Sequence, residues 1–389
     1  MSDASSPTPH HTANKTPRGT PESSPLARIY LMLYVLLIVY ASLYPMTGWH
    51  DAISPPLSYL NLTPPRYWTL FDVVTNIIAY LPLGCLVVFA SYPRLQRWSA
   101  LVLAILIGSL VSGSIEALQS YLPNRVPSNL DLFSNIIGTL LGALFAWWQT
   151  RAFLDHGYLH LMRKRWFVPQ ASRGLLSLGL WPLAQLSPQA YLFGHGQVTP
   201  VISDLLSDLI ESPVDLIALA HRGKDLSVEQ YWLAETIITA SGLCGAVLSM
   251  LWMLRPAAPR LWLMVGLVFS CLTIKSLATA LVFTPEHALL WLTPGAQGGL
   301  LIGVLMLAGL SFAPAIAQRR LAALTLLLSL VVVNLVPVNH YFNASVQAWV
   351  QGKFINFNGA AQAMALAWPF LAVWCVWHPD QYLYDKAGH

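Results

Sequence analysis

Residues 71–92 read FDVVTNIIAYLPLGCLVVFASY. One aspartate opens the stretch, one asparagine follows a turn later, and no other ionisable side chain interrupts it apart from a cysteine and tyrosines. A helix needs about 20 mainly apolar residues to cross the ~30 Å hydrocarbon core, and this stretch supplies them. Comparable blocks stand at 28–46, 98–120, 131–150, 173–187, 230–254, 261–283, 288–312, 321–337 and 361–378. The chain of 389 residues is 56% hydrophobic and 10% charged, against about 25% charged in a soluble domain. In lipid the backbone must pair within the chain, which leaves helices or closed barrels. The alternating ten-residue strands of a barrel are absent. The expected fold class is therefore all-α, a polytopic transmembrane helical bundle of about ten spans. A soluble enzyme, a secreted disulfide scaffold and a nucleic-acid module are excluded. The fifth span is short and contains Trp181–Pro182, so it is expected to be re-entrant; the eighth is expected to break at Pro294–Gly295.

Charge supports the count. With the N-terminus in the cytoplasm, fifteen Lys and Arg fall on the inner side and five (Arg66, Arg125, Arg222, Lys224, Lys353) on the outer, with Lys275 inside a span. That asymmetry obeys the positive-inside rule, and both termini are expected to be cytoplasmic. Fourteen of residues 1–26 are Ser, Thr or Pro. With no apolar run and cleavage site, they read as a disordered cytoplasmic tail, not a signal peptide. The organisation expected is a four-helix membrane domain at 27–150, a basic cytoplasmic connector at 151–172, and a second membrane domain at 173–389. The external segment 188–229 holds Val201, Ile202, Leu205, Leu206, Leu209 and Ile210 at helical spacing, as in a helix that caps the bundle or lies in the interface. Cys85, Cys244, Cys271 and Cys375 all fall in apolar blocks without ligand spacing. No disulfide, metal or cofactor is expected.

Ionisable side chains are costly inside a membrane, so each is a functional candidate. Asp72 and Asn76 share one face of the second span. Ser112, Glu116 and Gln119 share a face of the third, and Asp131, Asn135, Gly138 and Gly142 a face of the fourth. The loop between the last two carries Arg125. The topology puts Asp72, Asn76, Glu116, Gln119, Arg125, Asp131 and Asn135 at one level in the external half of the membrane. Such a set suits binding of a cationic or hydroxyl-rich group, or acid–base work. Helix capping by Asp72 or Asp131 is the structural alternative. Gly138 and Gly142 form a GxxxG pair for close helix packing. Pro82 and Gly84 are expected to kink the second span. Glu235 and Lys275 lie at similar depth on consecutive spans and are expected to form an intramembrane ion pair.

The order Asp72, Asn76, Pro82, Gly84, then Glu116, Gln119, then Arg125, then Asp131, Asn135, Gly138 resembles the VanZ-like family over about residues 30–150. There the pattern runs D-x3-N-x5-P-x-G, E-x-x-Q, an Arg-bearing loop, and D-x3-N-x2-G. Ser128 stands where many members carry an acidic residue, and 151–389 lies outside the pattern. The family takes its name from a protein that confers low-level resistance to the glycopeptide teicoplanin. The resemblance implies a role in the bacterial cell envelope, at the outer face of the cytoplasmic (inner) membrane, without defining a reaction. The expected partners are membrane lipids, with a lipid-linked cell-wall or polysaccharide component contacted by the candidate residues. No nucleophile–base–orienter set can be named, which favours binding over catalysis. The alternatives are a membrane-embedded enzyme acting on a lipid-linked saccharide and, third, a transporter or flippase, which the absence of repeat symmetry disfavours.

Overall fold

The structure is a computed structural model and describes residues 25–43, 48–52, 55–61, 68–123, 126–153, 158–187, 189–222, 226–282, 285–337 and 355–378. Its α-helices are α1 (Pro25–Leu43), α2 (Leu70–Ser91), α3 (Trp98–Gln119), α4 (Asn129–Phe153), α5 (Tyr158–Trp166), α6 (Ser172–Ala184) and α7 (Thr199–Ile210). They continue as α8 (Leu216–Ala220), α9 (Val228–Leu251), α10 (Arg260–Val282), α11 (Pro294–Leu310), α12 (Ala315–Leu335) and α13 (Ile355–Trp377). The fold is all-α; the described residues form no sheet, only an isolated bridge between Phe167 and Leu254. Six helices are long and apolar enough to cross a membrane, within α2, α3, α4, α9, α10 and α12. Apolar stretches of α1, α11 and α13 are shorter.

Helices α1–α4 share one apolar core, built on Ile38, Tyr80, Leu83, Val87, Leu101, Ala104 and Ala143. Its tightest seam is α2 against α4. A Cβ at Gly138 would meet the Ile77 carbonyl, one at Gly142 the Leu81 carbonyl, and one at Gly84 the Thr139 carbonyl. The two backbones touch because these positions carry no side chain, which is how small residues bring membrane helices together. The α2 helix runs through Pro82 from Leu70 to Ser91.

The second bundle is organised around α9. Ile238–Leu251 is buried on every side, as expected of a helix that is apolar all round. Gly295, Gly299 and Gly303 of α11 recur every four residues and lie against Glu235, Thr239 and Leu243 of α9. The eighth span is not a broken helix: it starts at Pro294, with Thr293 as its N-cap accepting the Ala296 N–H at 3.2 Å. Proline suits the first turn because its missing N–H would have no helical partner there. The connector is pinned to the α9–α10 turn by Val168 N–H to Met253 O (3.0 Å) and Arg255 N–H to Trp166 O (2.8 Å).

The fifth span is the short helix α6. Its 13 residues rise about 20 Å, less than the hydrocarbon thickness. It starts beside the end of α13, where Cys375 faces the Arg173 carbonyl. The segment after it re-enters the helical bundle. Leu192–Gly196 folds back into the bundle, with the Leu192 carbonyl accepting from Thr239 in mid-α9 and Gly196 N–H donating to Ala365 in α13. The chain leaves again at Val198 and Thr199, held by Asn334 at the end of α12. Irregular backbone of this kind survives only inside protein, with its polar groups paired. The buried His195 ring in this loop pairs with the Gln185 amide at 2.9 Å. Helix α7 then turns Val201, Ile202, Leu205, Leu209 and Ile210 away from the protein, the arrangement of a helix with one face in the membrane interface.

Candidate functional site

A cavity of about 300 Å³ opens at the end of the first bundle where α1 and α3 finish and α2 and α4 begin. Its polar wall comes from α2, α3 and α4: Thr75, Asn76 and Tyr80, then Glu116 and Gln119, then Asp131 and Asn135. The facing wall is apolar and comes from Leu37, Ile38 and Ala41 of α1, from Leu186, and from Ala361 and Met364 of α13. The second bundle therefore supplies part of the site.

Helix starts and helix ends set this wall. Ser128 is the residue before α4, and its Oγ accepts the Asp131 N–H at 3.4 Å. Its own N–H donates to Glu116 Oε2 at 2.8 Å, so one loop residue both starts α4 and fixes the glutamate on α3. Glu116 is 2% exposed, and among the described residues only Ser128 is seen donating to its carboxylate. Asn135, 5% exposed, donates Nδ2 to Ser112 Oγ at 2.9 Å, which leaves its buried Oδ1 unpaired. Gln119 donates Nε2 to the Ser42 carbonyl at 3.0 Å and ties α3 to α1. Asn76 is half-buried and lines the cavity. A buried polar atom without a partner is costly, and the unpaired Asn135 oxygen lines this cavity.

The structure thus gathers Asn76, Glu116, Gln119, Asp131 and Asn135. It leaves out Asp72. That carboxylate is exposed and closes a capping box at the start of α2, accepting the Thr69 N–H at 3.1 Å and the Thr69 hydroxyl at 2.6 Å. Its charge is used at the positive end of the helix dipole. Arg125 lies outside the described residues. Glu235 and Lys275 do not form the expected ion pair. Glu235 accepts from the Thr293 hydroxyl at 2.5 Å, because the glycine stripe of α11 brings the Thr293 cap onto it. Lys275, 3% exposed, donates to the Ser187 carbonyl at 3.2 Å, because the backbone after α6 reaches it first.

Sequence reasoning noted Ser128 only as a departure from the family pattern, and missed Tyr80 and the α13 wall. Ser128-x-x-Asp131 is a helix-start signature. Tyr80 continues the Asp72–Asn76 face by one more turn. No local signal announces Ala361 or Met364, since their role comes from the docking of α13 on α1.

No curated protein and no solved structure matches the chain. The whole polar wall lies within residues 28–150, about a third of the chain, and this segment matches the VanZ/LLP1 family model.

Proposed function

We propose that this is a multi-pass protein of the bacterial inner membrane whose cavity binds the polar head group of a lipid-linked cell-wall or polysaccharide component in the external leaflet. On the topology expected from the sequence, about ten crossings with both termini in the cytoplasm, the cavity mouth lies outside. The observation that carries the reading is the two-sided cavity. The unpaired Asn135 oxygen, the Glu116 carboxylate and the Asn76 amide line one small space with Leu37, Ile38 and Met364. Polar groups on one wall and aliphatic groups on the other suit an amphiphile seated at a membrane surface. Binding is preferred to catalysis because the sequence names no nucleophile–base–orienter set. The likeness of residues 28–150 to a family linked with teicoplanin resistance supports a cell-wall component as the ligand.

The test is mass spectrometry of lipids that copurify with the full chain. A specific lipid-linked species is expected with wild type and is expected to fall about tenfold or more in Glu116→Ala, Arg125→Ala and Asp131→Ala, since a lost charge-assisted hydrogen bond is worth a factor of that order. Asp72→Ala is the control: it removes the α2 capping box at a cost of about 1 kcal/mol and keeps the lipid. Identical lipid profiles across folded variants would overturn the proposal.

A further inference from the structure

We infer that the end of the second bundle where α9 turns into α10 and α12 begins binds the phosphates of anionic phospholipids. The surface is separate from the cavity. Met364 lines the cavity and Trp377 borders this surface, about 20 Å apart along α13. On the topology expected from the sequence it faces the cytoplasmic leaflet.

The fold gathers cations that the sequence scatters. Helix α5 brings Lys164 and Arg165, both exposed. The Arg255 N–H donates to the Trp166 carbonyl at 2.8 Å, which sets the exposed Arg255 beside the end of α5. The turn that follows closes through Ala258 N–H to Arg255 O (3.0 Å) and Arg260 N–H to Ala258 O (2.9 Å), and it carries Arg260, also exposed. From α12 the Arg319 guanidinium lies 5.9 Å from the Trp252 ring centroid. It donates Nε to the Val376 carbonyl at 2.7 Å and Nη2 to the Trp377 carbonyl at 3.1 Å. Arg320 beside it is exposed.

The positive excess does not depend on any one of these groups lacking a partner. The described acids of the second bundle stand toward the other ends of these helices: Glu229 and Glu235 near the start of α9, and Glu286 after the end of α10. Asp155, Asp380 and Asp385 lie outside the described residues, and six cations still outnumber three carboxylates. Such a patch attracts anions, and its surroundings select a lipid. Helices α9, α10 and α12 are long and apolar enough to cross a membrane, so the patch stands where they leave the hydrocarbon. Trp262, Ile316 and Trp377 are exposed around it by 76%, 67% and 61%. On α5, the exposed Leu161 shares a face with Lys164 and Arg165, the pattern of a short basic helix lying in the interface. An RNA or a soluble acidic protein would leave Ile316 and Leu161 in water, whereas a lipid covers them and brings its phosphate to the rim. Five of the six cations are Arg, whose forked guanidinium matches phosphate oxygens.

The experiment is native mass spectrometry of the full chain in detergent with equal amounts of phosphatidylglycerol and phosphatidylcholine of the same acyl chains, with and without a single-stranded RNA oligonucleotide as competitor. Wild type is expected to retain phosphatidylglycerol about tenfold over phosphatidylcholine, since one Lys or Arg near an anionic lipid surface is worth about fivefold. Replacing Lys164, Arg165 and Arg255 together by Gln is expected to bring that ratio close to one. Arg222→Gln, on the far surface beyond α8, is expected to leave it unchanged. If the triple variant does not fold, Arg165→Gln alone is read in its place, with about a fivefold drop expected. A wild-type ratio near one, a ratio that survives loss of these charges, or displacement of phosphatidylglycerol by the oligonucleotide would each overturn the inference.

Discussion

Gly142→Val is expected to yield no folded first bundle, and Gly142→Ala to cost about 1–3 kcal/mol. Gly266→Ala is expected to be neutral or to stabilise by up to about 1 kcal/mol. The contrast isolates one cause. At Gly142 a Cβ would run into the Leu81 carbonyl, which is backbone and cannot rotate away. At Gly266 a Cβ would meet nothing within 4 Å, so the substitution only improves helix propensity. The α2–α4 seam also carries Asn76, Tyr80 and Asn135, so pushing the helices apart would open the polar wall. Unfolding of the three variants in detergent, followed by tryptophan fluorescence, measures the difference. A Gly142→Val protein as stable as wild type would contradict the close seam.

Asn334→Leu is expected to destabilise the second bundle by about 3 kcal/mol and to expose residues 188–229 to protease. Asn334 Oδ1 accepts the Val198 N–H at 2.7 Å and the Thr199 N–H at 2.9 Å. Its Nδ2 donates to the Gly196 and Leu330 carbonyls at 2.8 Å each. One side chain thus caps α7 from 135 residues away in sequence and closes the re-entrant loop. Leucine leaves two first-turn N–H groups without acceptors, each costing about 1–3 kcal/mol when buried. Asn334→Asp keeps the acceptor at a helix N-terminus, where a negative charge is favoured, and is expected to lose less. Limited proteolysis and thermal unfolding read both effects; equal protease resistance of Asn334→Leu and wild type would refute this role.

What was legible in the sequence follows from range. Apolar blocks of about 20 residues can only be helices in lipid, so the helical class and the places of α2, α3, α4, α9, α10 and α12 could be read directly. Face-sharing within a helix is equally local, which is why Asn76, Glu116, Gln119, Asp131 and Asn135 converge as their spacing implies. Asp72 shares the face of Asn76 but sits in the first turn, where the Thr69 cap competes for its carboxylate and wins. The Glu235–Lys275 pairing failed for a different reason. Equal depth on consecutive spans does not set rotation about the helix axis, and nearer partners on α11 and the loop after α6 take each group. The loop that re-enters the bundle at Leu192–Gly196 has no local signal, because its stability comes from Thr239, Asn334 and Ala365, all distant in sequence. The α13 wall of the cavity was hidden for the same reason.

The most direct test of the cavity as a lipid head-group site is a single-particle map of the full chain in bilayer discs made from native lipid extract. The account predicts elongated density between α1 and α13, its polar end within about 3.5 Å of Glu116 Oε1 and Asn135 Oδ1 and its tail running past Met364 toward the membrane. A map in which the cavity holds only water, or in which α13 stands away from α1 and no cavity forms, would contradict it.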